Sequence, residues 1–271
     1  MIVSIIASSL SGITPANAQE PKTKIRIANS AMSVTSLPLL VAREWKLFHE
    51  RGLEVEIILM SPAISVPAIV SGEIDYFAGV GPGATNHVSL VITLEKLGLS
   101  PKDFNILALP PPEMLRSLES GFLDAASLNP PTLFLAQKKG FANILDIGSL
   151  VEMPGGGLTV MSKDIKAKPD EVKRVIRAMQ SAKDAMRKSK EKSVELMMRI
   201  LKMDRESAAA TYDVFTKTLS VDGVPTRAGI DNLVKSIQAQ GRFVDKKPAF
   251  SDLADDRLAK EVARELGYKV Q

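Results

Sequence analysis

The 271-residue sequence has no cysteine. Disulfides, thiolate metal sites, cysteine nucleophiles and a lipid-modified cysteine are thereby excluded, while the compartment stays open. Histidine occurs only as His49 and His87, with no metal-ligand spacing and no G-x-S-x-G nucleophile turn to accompany them. Aromatic residues make up 5% of the chain, so the 45% that is apolar is mainly aliphatic side chains and Ala, which favours α/β packing over an aromatic-rich sandwich. The net charge of +4 is too small to point to nucleic acid. Long apolar runs are lacking as well. Ile2 to Leu10 is too short to span a bilayer, which takes about 20 residues, and the uncharged stretch Tyr76 to Leu94 is interrupted by Gly79, Gly81, Pro82, Gly83, Asn86 and His87.

What is present begins with an address. The apolar run Ile2 to Leu10, followed by Ala16-Asn17-Ala18 ahead of Gln19, has the layout of a secretory signal peptide over residues 1–18, although no Lys or Arg precedes the run. From Lys24 the pattern alternates strand and helix. Strands are predicted at Ile25–Ala28, Glu54–Met60, Ile74–Val80, Phe104–Leu109, Leu123–Leu128 and Asn143–Ile147. Helices are predicted at Leu37–Glu50, Ser65–Ser71, Val88–Leu97, Glu113–Ser120 and Thr132–Lys139. Such alternation argues for parallel sheets covered by helices. Two internal echoes point to duplication of a small α/β unit. Ser71-Gly72-Glu73-Ile74-Asp75 returns as Ser120-Gly121-Phe122-Leu123-Asp124, and Pro38 to Phe48 returns as Pro131 to Phe141. Beyond Gly157, Leu158–Met161 reads as one returning strand, and the rest is mostly amphipathic helix, with Thr226 placed to cap one of them.

The chemistry-bearing signal lies in the loops. Ile27–Ala42, Tyr76–Leu94 and Ala125–Gln137 contain no Asp, Glu, Lys or Arg, yet are rich in hydroxyl, amide, Gly and Pro residues. In a parallel sheet these loops gather at the carboxyl ends of the strands, where ligands bind. Free N–H groups at helix N-termini can hold an anion or polar molecule there without a cationic side chain. Ser33, Thr35, Ser36, Gly83, Thr85, Asn129 and Thr132 are the candidate ligand-binding residues; the competing reading is that they only cap helices buried between two lobes. Gly79 to Ala84 also fits G-x-G-x-x-A, but it follows a third strand and lacks a well-placed acidic partner, so dinucleotide binding is disfavoured. No catalytic residue, metal or cofactor is expected.

Several motifs in combination resemble a known family. Pro38-Leu39-Leu40-Val41-Ala42-Arg43-Glu44, Leu47 to Val55 (LFHERGLEV), Ser71 to Tyr76 and Gly79-Val80-Gly81 are similar to periplasmic substrate-binding proteins of ABC importers. The similarity is to the aliphatic-sulfonate, taurine, nitrate and thiamine-pyrimidine type. Leu94 to Leu99, Leu118 to Asp124 and Lys138 to Phe141 resemble the second lobe of that family. The resemblance implies an α/β, two-lobe, type II-like periplasmic-binding architecture. It is divided as lobe 1 (first part) over 19–87, lobe 2 over 88–157, and a return strand and C-terminal helices over 158–271 packing mainly on lobe 1.

Two departures stand out. Lys46 occupies a position where the family usually has Gly, and Ala84 to Val88 joins directly two parts that the family separates by further structure. The chain therefore reads as internally shortened near Asn86 and as lacking strands of both lobes. The resemblance implies a monomeric, periplasmic, non-enzymatic binder of a small sulfonate, nitrate or pyrimidine-class solute, working with the membrane subunits of an importer and with no nucleic acid. Alternatives of the same fold are a thiamine-pyrimidine synthase-like enzyme, whose Cys-rich motif is absent, a regulator's effector-sensing domain, and a degenerate paralogue that binds nothing.

Overall fold

The computed structural model describes residues 22–79, 86–239 and 241–270. Its sheet has four strands in the order β2-β1-β3-β4, where β1 is Thr23–Asn29, β2 Leu53–Leu59, β3 Tyr76–Gly79 and β4 Gly157–Thr159. β1 pairs in parallel with both β2 and β3, and β4 returns antiparallel to β3. The predicted first three strands and the returning strand are all present. Helix α1 (Leu37–Glu44) buries every residue from Leu37 to Ala42. It stops earlier than predicted because Lys46 takes φ 62°, the left-handed conformation, and the Leu47 N–H turns back to the Ala42 carbonyl at 2.8 Å. That backbone state costs a non-glycine residue about 1 kcal/mol. Helix α2 (Pro62–Ser71) begins at a Pro, whose missing N–H no helix partner needs, and ends at Gly72 with φ 81°.

Among the described residues the remaining helices are α3 (Asn86–Lys96), α4 (Pro111–Glu119), α5 (Thr132–Lys138), α6 (Ile147–Leu150), α7 (Ser162–Ala167), α8 (Pro169–Lys188), α9 (Lys190–Leu201), α10 (Arg205–Thr218), α11 (Arg227–Ala239), α12 (Phe250–Leu253) and α13 (Arg257–Glu265). The main core lies on one face of the sheet. Ile25 and Ile27 of β1 meet α1, and behind α1 the fully buried Val175, Ala178, Ala182 and Met186 form the stripe of α8. Each such large aliphatic side chain contributes roughly 1.5–3 kcal/mol by leaving water. A smaller cluster of Ala28, Ala68, Ile69, Ile74 and Phe77 seals the other face under α2. The cap predicted for α11 forms: Thr226 Oγ1 accepts the Gly229 N–H at 3.2 Å.

The predicted strands Phe104–Leu109, Leu123–Leu128 and Asn143–Ile147 do not form. Among the described residues no backbone-to-backbone hydrogen bond joins 105–109 or 124–128 to another segment, and Ile147 opens α6 instead. The reason is visible in the first unit. There the central strand β1 supplies the pairing edge for both neighbours, β2 and β3. By the internal echo, 104–109 and 123–128 correspond to β2 and β3, and the chain between Gly79 and α3 is too short to supply a counterpart of β1 with its own connection. Two flanking strands without a centre are not neighbours and have nothing to bond, even though α4 provides a helical connection between them. Neither hydrophobic cluster contains a residue between 86 and 156, and Phe122, Ile144 and Phe104 stay 69%, 82% and 46% exposed.

Inserting ahead of Asn86 a segment that supplies a β1-like strand and its connection is expected to raise the thermal unfolding midpoint. An unchanged or lower midpoint in calorimetry would show that the short form needs no central strand.

A second expectation concerns α8, which clamps the chain after α10. Gln180 Nε2 donates to the Asp222 carbonyl, Lys183 Nζ to the Ser220 carbonyl at 3.0 Å, and Arg187 Nη2 to the Leu219 carbonyl at 2.8 Å. Burial, helped by the Arg187 charge, lowers the Lys183 ammonium from 10.5 to about 8. Between these values the unfolded chain binds the extra proton, so folded stability from this group increases as pH rises from about 8 towards 10.5, and the cost of burying the charge is complete below about 8. Lys183→Met should therefore gain stability relative to wild type at pH 7 and lose that advantage by pH 10, read from denaturant midpoints. Arg187 Nη2 also reaches the Ser220 carbonyl, at 3.2 Å, so the carbonyl keeps a donor in the variant.

Candidate functional site

The carboxyl ends of the two parallel neighbours β1 and β3 come together because Asn29 stands beside Ala78 in the ladder. The loop after β1 lies against the end of β3. A Cβ built on Gly79 would sit 2.5 Å from Ser30 Oγ, so any larger residue there would force the Ser30 side chain to shift. Residues 34–36 then make one tight 3-10 turn that runs directly into α1, with the Ser36 N–H returning to the Ser33 carbonyl at 3.0 Å.

This turn gathers three of the sequence-predicted residues. Ser33 Oγ and Thr35 Oγ1 are 2.9 Å apart, Ser33 Oγ and Ser36 Oγ 3.5 Å. Ser36 is buried, Ser33 half-buried and Thr35 exposed, so the hydroxyls form a short ladder from core to surface. None carries a formal charge, and no ionisable side chain takes part in their hydrogen bonds. Such an arrangement offers hydroxyl donors and acceptors to a polar ligand at low desolvation cost.

Asn129 and Thr132 form a second group. Asn129 Nδ2 donates to Asn86 Oδ1 at 3.0 Å, and Asn86 Nδ2 donates to the Ser127 carbonyl at 3.4 Å. Asn129 is exposed and its side chain does not cap α5, whose flanking residue Pro131 offers no side-chain bond either. Thr132 is half-buried at the first position of α5. Among the described residues no hydrogen bond links the Ser33 group to the Asn129 group. Gly83 and Thr85 lie outside the described residues, as does the 1–18 leader reading.

Sequence reasoning missed two participants. Asn29 is 1% exposed and sits beneath the hydroxyl ladder; the alternation Ile25, Ile27, Asn29 places it on the core face, which is the signal that marks a polar residue there as unusual. Asn86 was visible as a junction and as one amide of the uncharged loop, but not as a site residue. Two cavities lie elsewhere. One of about 300 Å3 lies between α5 and α10, where Lys138 Nζ meets Glu206 Oε2 at 2.8 Å. The other, about 220 Å3, is lined by Asp75, Tyr76, Lys163, Asp164 and Glu171. There the Tyr76 hydroxyl donates to Glu171 Oε1 at 3.2 Å; burial first, then the Glu171 charge, hold the phenol far above its ordinary range, so it stays a donor. Neither cavity is lined by Ser33, Thr35, Ser36, Asn129 or Thr132.

Comparison with known proteins bears on this geometry. Residues 76–201 match the NMT1-like family. A protein of Brachyspira hyodysenteriae named as an ABC transporter periplasmic binding protein is 27% identical over 107 residues, which is 40% of this chain and 31% of that one. A Bacillus subtilis protein named as aliphatic sulfonates-binding is 27% identical over 170 residues, 60% of this chain and 49% of that one. The chain thus spans between about a third and a half of the length of these curated relatives. Among solved structures, the periplasmic aliphatic sulphonate binding protein SsuA of Escherichia coli superposes with TM-score 0.70 at 15% identity, covering 84% of this chain and 91% of that one. The chain has the periplasmic-binding-protein fold. It is similar to substrate-binding proteins of the sulfonate type, as Pro38–Val55 and Ser71–Tyr76 lead one to expect. The desulfurization enzyme DSZB has this fold as well, with TM-score 0.59 at 12% identity, covering 89% of this chain and 99% of that one.

Were Asn129 a ligand contact, Asn129→Leu would weaken binding by about ten- to a hundredfold, the loss of about 1–3 kcal/mol when a polar ligand group loses its partner. Because Asn129 is exposed, the unfolding midpoint without ligand should stay near wild type. A lowered midpoint with unchanged affinity would make the Asn129–Asn86 bond a purely structural tie.

Proposed function

We propose that this chain is the extracytoplasmic solute-binding component of an ABC importer and that it captures a small anionic or polar solute of the sulfonate class between two lobes. In this reading lobe 1 begins over 19–87, lobe 2 is 88–157, and 158–271 returns to lobe 1. One observation carries the reading: the uncharged hydroxyl ladder Ser33, Thr35 and Ser36 at the carboxyl end of the central strand, leading into the N-terminus of α1. That is where open α/β sheets bind ligands. Hydroxyl groups match the diffuse charge of a tetrahedral sulfonate head without a fixed counter-ion. Asn129 and Thr132 would face the same ligand from the second lobe, with Gly83 and Thr85 completing the first. The names and folds of the relatives support this assignment, a periplasmic location and docking to membrane subunits.

The role is capture and release, with no catalytic residue. The fold also accommodates a desulfurization enzyme, so the test includes a turnover arm. Isothermal calorimetry of the purified chain against ethanesulfonate, taurine, nitrate, an aminopyrimidine and acetate should show sulfonates binding best. Incubation with biphenyl-2-sulfinate should leave that compound intact. Preference for acetate or the pyrimidine would change the ligand class, absence of any binding would leave the degenerate paralogue, and loss of the sulfinate group would make the chain an enzyme.

A further inference from the structure

Asn29 closes β1, the central strand, and is held on both sides, opposite Leu59 of β2 and Ala78 of β3. Its carbonyl also accepts the Met60 N–H at 3.0 Å. The residue therefore has almost no backbone freedom, and its side chain is 1% exposed on the face that Ile25 and Ile27 share with α1. A polar amide at such a position costs stability unless every hydrogen-bonding atom finds a partner.

Both ends of this amide are engaged with the loop that follows. Nδ2 donates to the Ala31 carbonyl at 2.8 Å, and Oδ1 lies 3.0 Å from the Ser36 hydroxyl, which donates to it. The Ser36 hydroxyl also lies 2.6 Å from the Ala31 carbonyl. Its one proton is thus committed inward to this pair of acceptors, and the outward side of Ser36 Oγ offers only lone pairs. Ser33 Oγ, 3.5 Å away, is too far to commit its proton to Ser36, and it pairs with Thr35 Oγ1 at 2.9 Å, so of the two hydroxyls one keeps a proton free to point outward. The ladder hangs from one side chain on the strand least able to move.

We propose that Asn29 is the positioning residue of the ligand loop: by tying Ala31 and Ser36 to the central strand it sets the outward hydroxyls of Ser33 and Thr35 for ligand binding. The assignment rests on the binding role given above. Asn29 itself touches no ligand and acts only through Ser36 and the 30–36 backbone. Substitution therefore leaves the donor groups present but misplaced, which separates it from the loss of a direct contact.

A double-mutant cycle tests this, with Asn29→Leu, Ser36→Ala and both together. Each is measured by ethanesulfonate calorimetry and by hydrogen exchange of the amides of residues 31–36. Asn29→Leu should weaken binding about tenfold and accelerate exchange across the loop, and Ser36→Ala should cost less in that background than alone, because the two substitutions share the Asn29–Ser36 link. Where Asn29→Leu does not fold, Asn29→Ser, too short to reach both partners, takes its place. Additive effects, or unchanged exchange at 31–36 in the Asn29 variant, would overturn the proposal. Should the wild type bind no sulfonate, the transport reading falls, while coupling in the exchange rates still decides whether Asn29 positions the loop.

Discussion

Everything in this molecule depends on whether a parallel sheet has its central strand. Hydrogen bonds in a parallel ladder run between strands that are distant in sequence, so each flanking strand is stable only if a neighbour is already there to receive it. β1 is that neighbour for β2 and β3. With β1 in place, α1 has a surface to cover, α8 has α1 to cover, and α13 in turn packs on α8 through Lys173, which meets both Glu261 and Glu265 at 3.2 Å. Where the centre is missing, as in residues 86–156, helices α3 to α6 form but the intervening chain stays unpaired, because helices satisfy their own backbones and strands do not.

The same contrast governs what could be read from the residues. Helices α3, α4 and α5 were legible nearly to the residue, since their hydrogen bonds are local and their stops, Gly98, Gly121 and Gly140, all take the left-handed conformation that the sequence marks. The first three strands were legible for a less direct reason: their apolar alternation happened to coincide with an available partner. Phe104–Leu109 carries an equally strand-like pattern and still does not pair, because strand formation is decided by residues elsewhere in the chain. Pattern alone reports a preference for the pleated surface, and pairing needs the surface to exist.

Site residues divide along a similar line. Ser33, Thr35 and Ser36 stood out because a loop without charge is conspicuous, and a single short turn then brings their hydroxyls into contact. Asn29 was hidden because it is the last residue of its strand, where a polar residue is read as the start of the loop. Its importance depends on two partners that only the folded loop supplies, Ala31 and Ser36. Asn86 and Asn129 are 43 residues apart, and nothing local in either sequence context predicts that they bond.

In the proposed role, a neutral binding surface would also favour release. A sulfonate held by a buried arginine would give up much of its attraction to desolvating both ions, and release would have to leave the cation unpaired. Hydroxyl and amide groups avoid both extremes, because each bond exchanged with water changes the free energy by only about 1 kcal/mol. Affinity then comes from the number of such bonds made at once, which requires the groups to be placed before the ligand arrives. In the first unit that placement is secured by a strand paired on both sides, whereas Asn129 and Thr132 stand on a segment with no sheet beneath it. In the proposed role, a ligand touching both groups would therefore spend part of its binding energy on ordering the second, and the first would carry most of the selectivity.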